Sequence, residues 1–136
     1  MNILVTGSSR GIGAELVKAF AKEHTVYCLS RNIDNLKGMS NVSALSFDYN
    51  NKDTIAFNHF FEDVDNIDVL INNAGLLYNK PFIELSEGDL NEMYQVNTLG
   101  PVWLIQQLLP KIIKAKGHVV NIGSMGGVQG SVKFPG

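Results

Sequence analysis

Cysteine is nearly absent. Cys28 is the single cysteine in 136 residues, so no internal disulfide can staple the fold, and a reducing compartment suits the chain. Long apolar runs are missing too: no stretch approaches the ~20 residues that cross a bilayer as a helix, so no membrane partner is expected. Charge is sparse at 18%, and the net charge is 11 − 13 = −2. No basic surface therefore argues for nucleic acid. The three histidines, His24, His59 and His118, lack metal-ligand spacing; they read as structural or solvent-facing, and no metal site is expected. A strand-like segment begins at Met1 itself, which leaves no room for a cleaved signal, and the cytoplasm is the expected location.

What is present is an ordinary globular composition, 45% hydrophobic, in a chain long enough to bury a core. Residues 1–136 read as one domain, without repeat or linker. Short apolar, β-branched runs predict strands over 2–6, 25–29, 42–47, 67–71 and 118–122. Between them, helical spacing predicts a helix over 14–22, a turn or two after Asn32, and a Phe-rich helix over 53–61. A long helix starts at Ser86, a good N-cap with Glu87 and Asp89 in its first turn, and runs to Lys114, with Pro101 and Pro110 as kink or break points. Continuous apolar strands alternating with helices indicate an α/β fold, a doubly wound parallel sheet covered on both faces. Cys28, in the middle of the second strand, is expected to be buried and inert.

The first strand runs into Thr6-Gly-Ser-Ser-Arg-Gly-Ile-Gly13 before the first helix. Glycines there let the backbone turn sharply and let a pyrophosphate approach the amides, while the helix N-terminus offers free N–H groups and partial positive charge. No Gly-Lys-Ser/Thr follows, which disfavours a P-loop. Asn72-Asn-Ala-Gly75 closes the fourth strand, Asn97 lies within Tyr94-Gln-Val-Asn-Thr-Leu-Gly-Pro101, and Asn121-Ile-Gly-Ser124 closes the fifth. In this order and spacing the four motifs resemble those of the short-chain dehydrogenase/reductase family, and they cover essentially the whole chain. The Gly-x-x-x-Gly-x-Gly spacing disfavours a sugar-nucleotide epimerase on a related fold.

The resemblance implies a Rossmann-type fold and an oxidoreductase that moves a hydride between a nicotinamide cofactor and a small carbonyl/alcohol substrate. It implies that Gly7, Ser9, Arg10, Gly11, Ile12 and Gly13 cradle the pyrophosphate end. Asp48 and Tyr49 would lie at the adenine, and Asn73, Ala74 and Gly75 would line the nicotinamide-side ribose. Ser124 would orient the carbonyl and Asn97 would hold a relay water. Asn97 also shares a helix face with Leu90, Met93, Gly100 and Leu104, where an amide must find partners; a bond to backbone would suffice. The end of the second strand, Ser30-Arg31-Asn32, carries no carboxylate until Asp34. An acidic group there would accept from a ribose 2′-hydroxyl, whereas Arg31 and Arg10 suit a 2′-phosphate. NADP(H) is therefore favoured over NAD(H). By analogy alone a homo-oligomer is expected. The alternative is a non-catalytic dinucleotide-binding protein with a regulatory or scaffolding role, which has little need of Ser124 or Asn97.

The pattern departs from the family in one respect. The general acid is a tyrosine in Tyr-x-x-x-Lys, placed about 13 to 16 residues beyond the serine, just past Gly136; none of Tyr27, Tyr49, Tyr78 or Tyr94 has a lysine four residues on. The sequence thus reads as truncated, without the later strands and helices, and the fifth strand is expected to form an apolar sheet edge. The substrate is not readable from Met125 to Gly136, a small, apolar, Gly-rich rim. A positioned general acid contributes about a hundredfold or more, so the 136-residue chain should show no meaningful carbonyl reduction. Steady-state assays returning a rate within about tenfold of a full-length relative would overturn this expectation.

Overall fold

The computed structural model describes residues 1–126; the rim expected over Met125 to Gly136 lies, beyond Gly126, outside the described residues. Five strands, β1 (Asn2–Thr6), β2 (Thr25–Ser30), β3 (Val42–Ser46), β4 (Val69–Asn72) and β5 (His118–Asn121), form a parallel sheet in the order β3-β2-β1-β4-β5. The helices are α1 (Gly11–Phe20), α2 (Thr54–Phe60), α3 (Glu87–Tyr94) and α4 (Gly100–Ala115). Winding runs outward from β1 to β3, then returns to β4 on the other side of β1. The reversal leaves a crevice at the carboxyl ends of β1 and β4, the switch point where open α/β sheets bind ligands.

Alternation along β1 explains why both faces must be covered. Ile3 and Val5 join Val17 of α1 with Val26, Cys28, Leu36 and Ile71 in one core. Leu4 points the other way, into a second core with Phe57 of α2 and Leu104, Leu108 and Ile112 of α4. That second core is aromatic: the Phe47 ring stacks on Trp103 at 5.6 Å between centroids, and Phe57 meets Phe61 at 4.8 Å. Cys28 is buried as expected, and desolvation pushes its thiol up to about 11, which keeps it protonated and unreactive near neutral pH. At the sheet edge β5 is exposed along its length, with Val119 and Val120 open to solvent.

Strand and helix bounds shift by a few residues from the sequence reading. Strand four starts at Val69 rather than Ile67, and α1 starts at Gly11 rather than Ala14. The larger difference concerns the long helix. It is interrupted not at a proline but by a π-helical turn, Gln95–Leu99. Pro101 directly follows the π turn, at the start of α4, and Pro110 is carried inside α4. Leu104, Leu108 and Ile112 hold the helix against the sheet on either side of Pro110. The π turn widens the repeat, so the expected single face splits: Met93, Gly100 and Leu104 are buried, whereas Leu90 and Asn97 are exposed.

At the start of α3, Ser86 caps as predicted. Its Oγ accepts from the Asp89 amide at 3.1 Å, and Asp89 Oδ2 accepts from the Ser86 amide at 2.9 Å and from Lys80 Nζ at 2.8 Å. The Lys80 hydrogen bond, followed by those from Ser86, holds the Asp89 carboxyl down to about 2. A folded-state value below the unfolded ~3.9 means that the stabilisation is fully present above pH ~4 and is lost as pH falls through about 2. Thermal melts should therefore find the wild type more stable than Asp89→Asn at pH 6, with the gap closing on acidification between these values; a gap independent of pH would refute the assignment.

Candidate cofactor crevice and active-site edge

Thr6, the last residue of β1, organises the switch point. Its buried hydroxyl accepts from the backbone amides of Asn73 and Ala74, both at 3.0 Å, and lies 3.5 Å from the Ile71 carbonyl. Asn73 returns the tie, its Nδ2 donating to the carbonyls of Thr6 at 3.0 Å and Gly7 at 3.1 Å. The glycine turn and the segment after β4 are thus locked together across the reversal in strand order. Between them lies a crevice of about 900 Å³.

Two glycines show why the turn has this composition. A Cβ on Gly13 would sit 2.2 Å from the Gly7 carbonyl oxygen and 2.6 Å from Asn73 Nδ2, so only glycine allows α1 to start against the turn. Gly11 has φ +55, and a Cβ there would meet nothing within 4 Å: its neighbourhood is open space on the crevice wall. Arg10, at the N-cap of α1, makes no side-chain capping bond, so the first amides of the helix keep free donors.

Of the residues singled out from the sequence, Gly7, Ser9, Arg10, Gly11, Ile12, Arg31, Asp48, Tyr49, Asn73, Ala74 and Gly75 all line this one crevice. Gly13 is buried behind it. Tyr49 lines the wall while remaining only 5% exposed; its ring meets Phe47 edge-on and lies against Gly100, and burial raises its phenol well above the ordinary value. Asp48 lies beyond the end of β3, its Oδ1 accepting from the Asn50 amide at 2.9 Å. Sequence reasoning missed Asn35, Leu76 and Val96 on the crevice wall. Only the fold brings these three to it: Val96 stands inside the Tyr94–Pro101 motif without a role of its own, and no motif marks Asn35 or Leu76.

Asn97 and Ser124 are not among the residues that line the crevice, although Asn97 touches two that do. Asn97 Oδ1 accepts from the Leu76 amide and its Nδ2 donates to the Leu76 carbonyl, both at 2.8 Å. This clasp is the backbone partner that the amide needed, and it pins the segment after β4 to the π turn. Asn97 also abuts the crevice residue Gly75, whose Cβ position lies 3.7 Å from Oδ1. Ser124, three residues past β5, is exposed, and its Oγ accepts from the Gly126 amide at 3.2 Å. Further out, Glu92 joins Tyr78 and Asn50 through its two carboxylate oxygens.

The tie at the switch point carries a measurable consequence. Asn73→Ala removes two part-buried bonds to backbone carbonyls and should lower unfolding free energy by about 1–3 kcal/mol. Gly13→Ala forces the Gly7 carbonyl away and should destabilise comparably. Because both act on the same oxygen, urea titrations of the double variant should show less than the summed loss; strict additivity would count against a shared tie.

A family model for short chain dehydrogenase matches residues 1–136. The ketoacyl reductase HetN of Nostoc sp. is 34% identical over 140 residues, which covers 94% of this chain and 49% of that protein. Among solved structures, the closed form of serine dehydrogenase complexed with NADP+ superposes with a TM-score of 0.84 at 29% identity, over 98% of this chain and 58% of that one. A 4-hydroxyisoleucine dehydrogenase complexed with NADH gives a TM-score of 0.83 at 26% identity, over 98% and 58%. The chain thus spans about half the length of these relatives. The glycine turn, the Asn-Asn-Ala-Gly segment and the parallel sheet that joins them all fall inside the matched residues, and the chain belongs to the short chain dehydrogenase family.

Proposed function

We propose that this chain forms the dinucleotide-binding and carbonyl-orienting part of an NADP(H)-dependent oxidoreductase, which moves a hydride between nicotinamide and a small carbonyl/alcohol substrate. The observation that carries the reading is the cradle at the mouth of α1. Gly11 opens onto a crevice of about 900 Å³, next to unengaged helix amides and two arginines that make no ion pair among the described residues. Such a wall suits the paired phosphates of a dinucleotide. Solved relatives carry NADP+ in one case and NADH in another, which supports the cofactor class.

In this reading Gly7 and Ser9 to Ile12 hold the pyrophosphate while Gly13, behind them, lets α1 start against the turn; Asp48 and Tyr49 flank the adenine, and Asn73 to Gly75 line the second ribose. When bound, the nicotinamide supplies the redox chemistry. The protein's own part is to orient and polarise. Ser124 donates its hydroxyl to the carbonyl oxygen, and Asn97 fixes the Leu76 segment that borders the crevice; through the same clasp it can present a water at the edge. The general acid is assigned outside these 136 residues, because no Tyr-x-x-x-Lys occurs within them.

Preference for NADP(H) rests on Arg10 and Arg31, which line the crevice on either side of Ser30 and Ser9, the two serines joined hydroxyl to hydroxyl at 2.9 Å. Charge-assisted bonds from an arginine to a phosphate are worth about 1.5–3 kcal/mol. Arg31→Asp should therefore weaken NADPH binding by at least about tenfold while sparing NADH. Fluorescence titration with both cofactors checks this, and an unchanged preference for NADPH would sink the assignment.

A further inference from the structure

An acidic group near the end of β2 normally selects the cofactor with a free 2′-hydroxyl, and the sequence places none before Asp34. The fold nevertheless brings Asp34 to the wall. It lines the crevice alongside Arg31 and Asn35, at the start of a short 3₁₀ turn, Asp34–Leu36. Three contacts fix that turn. Leu36 is buried in the α1 core, Asn32 Oδ1 accepts from the Asp34 amide at 2.8 Å, and Asn35 Nδ2 donates to the Ser9 carbonyl at 2.7 Å. The backbone at Asp34 is therefore docked on the glycine turn, and Asp34 shares the crevice wall with Arg10 and Arg31. Its one ion-pair partner among the described residues is Lys37, at 2.7 Å.

We propose that the Asp34–Lys37 pair sets how strongly this crevice prefers an adenosine ligand bearing a 2′-phosphate over one with a free 2′-hydroxyl. Lys37 occupies and neutralises a carboxylate that would otherwise repel the phosphate and accept from the hydroxyl. The proposal rests on the NADP(H) reading above and deepens it. The Lys37 hydrogen bond and charge hold the Asp34 carboxyl below the usual range. Arg10 and Arg31 would contact the phosphate directly; Lys37 is a positioning residue that acts through Asp34. Both members of the pair are well exposed, so the effect is modest and sensitive to salt.

Calorimetric titration of the chain with adenosine 2′,5′-bisphosphate and with adenosine 5′-monophosphate gives the preference as a ratio of affinities. Lys37→Met should lower the ratio about two- to fivefold, and Asp34→Asn should raise it by a similar factor. Added to Asp34→Asn, Lys37→Met should change nothing. The single-variant effects should shrink as salt rises from about 0.05 M to about 0.5 M. If Lys37→Met lowers the ratio equally in both backgrounds, the lysine acts on the phosphate itself and the proposal fails. It also fails if both ligands weaken together, which would make the pair merely structural. A wild type without preference for the bisphosphate overturns the NADP(H) reading and this proposal with it; a clear wild-type preference that neither substitution alters overturns this proposal alone.

Discussion

The structure depends on one hydroxyl. Thr6 ends β1 at the point where the strand order reverses, and its Oγ1 takes the amides of Asn73 and Ala74 while Asn73 takes the carbonyls of Thr6 and Gly7 in return. The Thr6 hydroxyl is buried and its partners are half-buried, and a buried donor or acceptor left unpaired costs about 1–3 kcal/mol. Satisfying them reciprocally fixes two segments that parallel pairing alone would leave to diverge. Because the segments diverge at their tips but not at their roots, the space between them becomes a crevice.

The same tie dictates the local sequence. With Asn73 seated on the Gly7 carbonyl, no side chain can stand at Gly13, and α1 is drawn against the turn. Crevice wall and sheet closure are thus one structural fact. This is why the Asn-Asn-Ala-Gly segment has two roles at once: it holds the sheet together and it forms a wall of the crevice.

Asn97 extends the logic outward. A regular helix from Ser86 onward would have set this amide among the buried Met93, Gly100 and Leu104. The π turn instead swings it to the surface, where both of its polar atoms are spent on Leu76. The interruption lets α3 keep its capping box at one end while α4 packs on the aromatic core at the other. The crevice edge is therefore set by where a helix changes its repeat, and the charge on its wall by where a short turn docks.

Much of this molecule could be read from its residues in order. Strand and helix alternation, the Ser86 cap, the buried Cys28 and the glycine turn are local or periodic signals, because hydrophobic period and capping chemistry act over a few neighbouring positions. The four motifs also named the family, and the glycine turn and the Asn-Asn-Ala-Gly segment form part of the crevice wall. Tertiary structure alone decided the rest. The π turn at Gln95–Leu99, rather than a break at either proline, interrupts the long helix, and buried leucines carry Pro110 along. Tyr49 is anchored in the core by an aromatic cluster assembled from three separate elements. Asp34 reaches the crevice because Leu36 and Asn35 dock its turn on residues more than twenty positions away. Local pattern determines what each segment becomes; only packing between distant segments determines which side chains end up facing the same space.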